Sequence, residues 1–232
     1  MNKTDIHPIQ SEILCKLLFV HEASFSELNK GKISSDLFSF HLKQLADWGL
    51  IEKDTNGKYT LTTKGKEFAN QFDTEKKEME KQPKITGLLV CIKKEKGQTK
   101  YLIQQRLKQP YFGFYGFFGG KLKWGETAEE AARRELLEET GLDGVISLRA
   151  VKHKMDYDEN NRILEDKYFL VFKVTKIKGV LKEEFEGGRN QWMTREEVLA
   201  IENLFDGVEE SIDLANGKGL VWREKKYKVR GY

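Results

Sequence analysis

Three glutamates, Glu135, Glu138 and Glu139, stand at i, i+3 and i+4 within a helix-like stretch, spacings that bring side chains to one side of a helix. Like charges that close repel, so the arrangement is costly without a cation. Hard oxygen donors suit Mg²⁺ or Mn²⁺, which keep waters and bridge to substrate phosphates. The chemistry such a cluster supports is metal-assisted attack of water on phosphorus. Three glutamates alone are more often a solvated acidic face, so the flanking elements have to decide.

Those elements are legible around the cluster. Gly119-Gly120 allows a tight turn and close backbone approach. Thr127 followed by Glu130 forms a capping box, which starts a helix near Ala128. Ala128, Ala131, Ala132 and Leu136 give that helix a small apolar face for packing against a sheet, and Gly141 ends it. Residues 85–93 and 100–107 read as strands that pair as a hairpin. Residues 145–156 and 166–174 read as further strands, the second dense in β-branched and aromatic residues. Residues 194–201 and 206–215 are helix-like, and the tail from Leu220 has strand-like residues.

The full spacing is more specific than the glutamates. Gly120 is followed after five residues by Glu126, after seven more by Arg134-Glu135-Leu136, then by Glu138-Glu139 and Gly141-Leu142. This resembles the complete Nudix box, with no position departing from its pattern. The resemblance extends over residues 85–215 and implies an α/β (α+β) sandwich, a mixed sheet between helices. It implies that Glu135, Glu138 and Glu139 bind metal, with Glu126 and Gly120 supporting the site. Arg134 resembles the arginine that orients a catalytic glutamate by ion pairing. Glu186, six residues before Trp192, is similar to a glutamate that reaches the metal site from outside the box in nucleotide-pool-cleaning members. It is a further ligand or, with Glu135, the alternative general base; Glu183 and Glu184 are its rivals.

Arg106, Lys121 and Lys123 are the candidate phosphate contacts. In the run YFGFYGFF (111–118) most aromatics should fill the core, with one or two, Phe118 among them, available to stack on a base. Relatives that act on oxidised guanine nucleotides place an asparagine near the start of the late helix. Here 204–209 is LFDGVE and has none.

The 232 residues, 39% hydrophobic and 33% charged, suffice for two domains with packed cores. Net charge is +3, weak evidence for any partner. It is uneven: residues 1–75 hold nine Lys and 11 Asp/Glu, so the positive excess lies beyond them. Two cysteines, both in apolar runs, give neither a disulfide framework nor zinc spacing. The start MNKTDIHPIQ lacks an apolar signal region, and no apolar run is long enough to span a bilayer, so a cytoplasmic protein with no membrane partner is expected.

Residues 73–84 (DTEKKEMEKQPK) read as a charged linker between a domain at 1–72 and one at 85–232. In the first, 7–22, 24–30 and 34–48 read as helices, an Asn56-Gly57 turn joins two short strands, and 63–72 reads as a last helix. Residues 8–72 resemble a small winged helix-turn-helix domain. That implies a DNA or protein partner, or a homodimer. Lys53, Lys58, Lys64 and Lys66 are its best phosphate contacts, although the third helix carries only Lys43 with Asp36 and Asp47. Two functions stand. The first is Mg²⁺-dependent hydrolysis of the diphosphate linkage of a nucleoside diphosphate-linked substrate. The second is a transcription regulator that senses a nucleotide metabolite. A pure sensor has no need of the glutamates, which favours the enzyme.

Overall fold

The computed structural model describes residues 6–229. Residues 1–5, part of the stretch read as lacking a signal region, lie outside the described residues. The chain divides into two compact units, Met1–Lys81 and Gln82–Tyr232. No helix among the described residues is long and apolar enough to cross a membrane.

In the first unit the helices α1 (Pro8–Leu18), α2 (Phe25–Asn29) and α3 (Ser35–Asp47) precede a hairpin of β2 (Ile51–Lys53) and β3 (Lys58–Leu61). A two-residue strand, β1 (Ala23–Ser24), pairs antiparallel with β3 to give the order β1-β3-β2, and α4 (Thr63–Ala69) follows. Ser24, Ser34 and Thr62 cap their helices through side-chain oxygens, which satisfies otherwise orphaned N–H groups. Ile13, Leu14 and Leu17 of α1 meet Phe38, Leu42 and Leu45 of α3 in the core. Leu37 and Phe40 share the apolar periodicity of α3 yet remain exposed.

Two segments depart from expectation. The helix read over 7–22 stops at Leu18, where the Phe19 N–H turns back to the Lys16 carbonyl. The segment read as a linker from residue 73 begins as a hairpin: β4 (Phe72–Asp73) pairs with β5 (Glu78–Met79). The Asp73 carboxylate accepts from the Glu75 and Lys76 N–H groups and closes the turn. Met79 packs on the first unit's core, so this stretch belongs to that unit.

The second unit is a mixed sheet between helices, as the family resemblance implies. Its strands are β6 (Lys84–Glu95), β7 (Gln98–Arg106), β8 (Tyr115–Gly116), β9 (Leu142–Tyr157), β10 (Ile163–Gly179), β11 (Glu184–Phe185), β12 (Gly188–Thr194) and β13 (Val221–Lys228). They run in the order β11-β12-β7-β6-β10-β9-β13, with β8 beside β7. The β6–β10 and β9–β13 pairs are parallel and the other pairs antiparallel. The tail from Leu220 thus supplies an edge strand.

The two-residue period of β6 divides the core. Leu89 and Cys91 point to one side, where α5 (Ala128–Thr140) lays down Ala132 and Leu136 with Phe118 and Phe172. Val90 points to the other, among Val198 of α6 (Arg195–Leu199) and Val208, Ile212 and Ala215 of α7 (Val208–Asn216). Burying a side chain such as Leu136 contributes about 1.5–3 kcal/mol, so the alanine-lined face of α5 is held close to the sheet.

Candidate active site

α5 begins as its sequence dictates. Thr127 Oγ1 accepts from the Glu130 N–H, and Glu130 Oε2 accepts from the Thr127 N–H at 2.8 Å. Ahead of it, residues 118–122 run antiparallel along β6. Leu89 N donates to Phe118 O and Gly87 N to Gly120 O, both at 2.9 Å. Gly119 has φ +149°, and a Cβ there would lie 2.0 Å from the Gly87 carbonyl oxygen, so the close approach requires glycine. At Gly120 a Cβ would lie 1.9 Å from Glu135 Oε1. The Glu135 carboxylate is therefore packed directly against the glycine loop.

Arg134 organises the acidic group. Its Nε and Nη2 donate to Glu126 Oε1 and Oε2 at 2.7 and 2.9 Å, a two-pronged pair. Its Nη1 donates to Glu135 Oε1 at 2.5 Å and, more loosely, to Glu138 Oε2 at 3.4 Å. The Arg134 side chain and a backbone bond from the Lys123 N–H hold the Glu126 carboxyl well below the usual carboxylate range, at about 2. The same carboxylates push the Arg134 guanidinium up.

Glu139 has different surroundings. Burial pushes its carboxyl up, a hydrogen bond from Gln104 Nε2 at 3.0 Å opposes that shift, and the nearby Glu135 charge adds to it. Gln104 is in turn tied to Asn190 Oδ1, and Asn190 Nδ2 donates to the Glu139 carbonyl at 2.8 Å. Asn190 is buried at the centre of this net.

Glu135 and Glu139 both line a cleft of about 860 Å³. Glu138 does not line it, and its side chain is 57% exposed. One helical step is about 100°, so Glu138 is turned away from the side that carries Glu139. The three-carboxylate face expected from spacing is thus two carboxylates in the cleft and a third at its rim. Among the described residues no three or more Asp, Glu, His or Cys side chains are gathered closely enough to hold a metal ion by themselves. Eight Lys/Arg and five Asp/Glu line the cleft, so its walls are basic overall.

The other expected residues fall out unevenly. Lys121 and Lys123 are exposed and line the cleft. Arg106 lines it too, but donates through Nε to Pro110 O at 2.6 Å and through Nη2 to Gln109 O at 3.1 Å. Much of its donor capacity therefore buttresses its own loop. Phe118 lines the cleft but is only 3% exposed and packs among Leu89, Leu136 and Phe172, so little of its ring is open for stacking. The more open Phe117 and Phe205 line the cleft beside it. Glu186 lies exposed in the turn between β11 and β12 and is not among the cleft's lining residues. Gln104, Asn190 and the floor lysines Lys84, Lys154 and Lys167 do not stand out in the sequence.

Gly120→Ala is expected to lower any reaction at this site by about 10²-fold, the scale for misplacing a reacting group by roughly 1 Å. Circular dichroism and melting should show a folded protein, because the clash is with a side chain. Turnover within twofold of the parent would refute the close-packed Glu135 geometry.

The NUDIX domain family matches residues 83–214, more than half of the chain. The chain belongs to the Nudix family. An uncharacterized Nudix hydrolase of Listeria monocytogenes is 33% identical over 116 residues, covering 48% of this chain and 64% of the relative. An ADP-ribose pyrophosphatase of Methanocaldococcus jannaschii is 38% identical over 85 residues, 36% of this chain and 48% of that protein. An 8-oxo-dGTP diphosphatase of Proteus vulgaris is 33% identical over 100 residues, 43% of this chain and 82% of its own length. The first two are thus matched over less than two thirds of their length. Among solved structures, the NUDIX domain of Shewanella oneidensis NrtR complexed with ADP ribose superposes with TM-score 0.52 at 19% identity. It covers 67% of this chain and 97% of that one. A MutT protein of Bacillus halodurans gives 0.50 at 21%, covering 62% and 90%. These establish the Nudix fold, the mixed-sheet sandwich described above.

Proposed function

We propose that the Nudix domain hydrolyses the diphosphate linkage of a nucleoside diphosphate-linked substrate. The observation that carries this reading is the convergence of Glu135, Glu139 and the Gly120 loop in a cleft whose walls are otherwise basic. Relatives named as a pyrophosphatase and a diphosphatase support it.

The donor set suits a hard divalent cation. Two half-buried carboxylates repel each other in the cleft, Gly120 packs against Glu135, and Arg134 ties Glu126 and Glu138 to the same group. An open pair of carboxylates, not a closed cage, matches an ion that retains waters and shares phosphate oxygens. When bound, Mg²⁺ or Mn²⁺ supplies charge neutralisation at the diphosphate and a lowered pKa for the attacking water.

The chain's own residues do the rest. Lys121 and Lys123 attract the phosphates. Arg134 fixes Glu135 and Glu126, so their oxygens need little reorganisation. Gln104 holds Glu139 by Oε2, which leaves Oε1 to take a proton. The raised carboxyl of Glu139 is better matched to proton transfer near neutral pH than an ordinary glutamate. We assign the base to the Glu135–Glu139 pair and not to Glu186, which stands outside the cleft lining. Water attacks one phosphorus, its oxygen forms the new bond, and the bridging oxygen leaves with the other phosphate.

The test follows by chromatography the release of phosphate or pyrophosphate from nucleoside triphosphates, and of nucleotide and sugar-phosphate fragments from dinucleoside polyphosphates, ADP-ribose and nucleotide sugars, with Mg²⁺ and with chelator. Metal-dependent release from at least one class is expected. No turnover with any compound, with ligand binding retained, would replace this reading by the sensing regulator.

That second reading draws on the first unit. Its three helices and the β1-β3-β2 sheet follow the order of a winged helix-turn-helix domain, which would contact DNA, another protein or a second copy. Lys58 is engaged by Glu27 at 3.2 Å and Lys64 by the Trp48 carbonyl at 2.6 Å, while Leu37 and Phe40 of α3 are exposed. These features favour a protein partner over duplex DNA. Binding to DNA that weakens steeply between low and moderate salt would decide for DNA.

A further inference from the structure

Three lysines stand side by side on the floor of the cleft. Lys84 on β6 is directly opposite Lys167 on β10, and Lys167 is directly opposite Lys154 on β9. All three line the cleft, and the row continues to Lys225 on β13. Neighbouring strands lie about 4.8 Å apart, and like charges directly opposite destabilise a sheet. A row of three on a partly enclosed face therefore calls for anions.

The protein supplies some. Asp156 and Glu165, themselves directly opposite on β9 and β10, lie beside the row. Lys154 Nζ lies 2.6 Å from Asp156 Oδ1, and Glu165 Oε2 is shared by Lys84 at 2.8 Å and Lys167 at 3.3 Å. Two carboxylates thus serve three ammonium groups, and the set keeps a positive excess. Each ammonium carries three donors, so a lysine held by one carboxylate can still bind another anion. Lys154 and Lys167 are only 11% and 26% exposed, so solvent screens them weakly. Burial also pushes the Lys167 ammonium down, an opposing strain that an arriving anion would relieve.

Position sets the ligand. Lys84 lies three residues before Gly87, whose N–H binds the Gly120 carbonyl beside Glu135. At about 3.3 Å per residue the row is about 10 Å along β6 from the carboxylate end. We propose that Lys84, Lys154 and Lys167 form a second anion subsite of this cleft, which takes a phosphate monoester on the sugar of a diphosphate-linked substrate. The proposal rests on the hydrolase reading for the first subsite. Lysines without an arginine are point charges suited to a compact phosphate, whereas a planar carboxylate favours the guanidinium fork.

The experiment compares ADP-ribose with ADP-ribose bearing a phosphate on the adenosine 2′ or 3′ hydroxyl. kcat/KM comes from chromatography of the adenosine monophosphate product (with or without its sugar phosphate) and Kd from calorimetry, for the parent and for Lys167→Gln and Lys154→Gln. For the parent, at least one phosphorylated compound is expected to be preferred by about tenfold or more, the scale of one charge-assisted hydrogen bond. That ratio should fall towards one in each variant and shrink with added salt. A ratio near one in the parent, or a ratio kept by both variants, overturns the proposal. If one variant fails to fold, the other decides. If no compound is hydrolysed, the hydrolase reading fails by itself, and the Kd ratio still tests the subsite.

Discussion

Glu139→Gln is expected to lower turnover by about a thousandfold or more, within the range that a lost acid–base group costs, and to leave the protein at least as stable at pH 7. The second half of this expectation follows from the carboxyl's surroundings. Burial, aided by the Glu135 charge, raises its pKa above the usual 4.5. A group whose folded pKa is raised contributes stability that is fully present below the unfolded value and is lost as pH rises through the folded one. As pH rises the parent must therefore bear the cost of ionising a half-buried carboxyl, which the variant lacks. The substituted glutamine can still accept from Gln104 Nε2 through its amide oxygen, so the net that reaches Asn190 survives. Melting curves at pH 4 and pH 7, beside the release assay, check both halves. The variant should melt above the parent at pH 7, with the gap closing towards pH 4. An inactive variant that melts well below the parent at pH 7 would mean that Glu139 holds the fold, not the chemistry.

The contrast between Glu139 and Glu138 shows what sequence could and could not give. Glycine loop, capping box, Arg134 and glutamates all lie within residues 119–142, so helical geometry relates them without knowledge of the rest of the chain. The sheet and its flanking helices were legible for the same reason, because two-residue and 3.6-residue periods are local. What escaped was contributed across the sheet. Gln104 reaches Glu139 from 35 residues away and Asn190 from 86 residues beyond Gln104. The lysine row exists only in the registers of β6 with β10 and β10 with β9. In sequence each member is an ordinary lysine. The depth at which Phe118 sits was not legible either, because an aromatic run does not say which alternate rings meet a helix. The strand β13 was hard to read because most of its side chains are exposed at an edge, which removes the apolar alternation that marks a half-buried strand.

Arg134 carries the second large effect. Its guanidinium binds both Glu126 oxygens and one of Glu135 at once. An ammonium is a single point charge and cannot reproduce that fork. Arg134→Gln is expected to lower kcat by about 10²-fold, the scale for losing the alignment of reacting groups. Arg134→Lys should lie in between, and KM should move less than kcat, because Arg134 orients Glu135 without itself lining the cleft. Stability gives an independent readout of the same contact. The Glu126 carboxyl is held at about 2, largely by Arg134. A depressed folded pKa contributes stability that is present above the unfolded value, near 4.5, and is lost as pH falls through about 2. Melting temperatures of parent and Arg134→Gln should therefore differ most above pH 5 and converge between pH 4.5 and 2. A constant gap over that range, with kcat unchanged, would show that Glu126 and Arg134 are neighbours without being coupled. Convergence together with a loss of kcat would tie the charge that anchors the loop to the geometry that Glu135 needs.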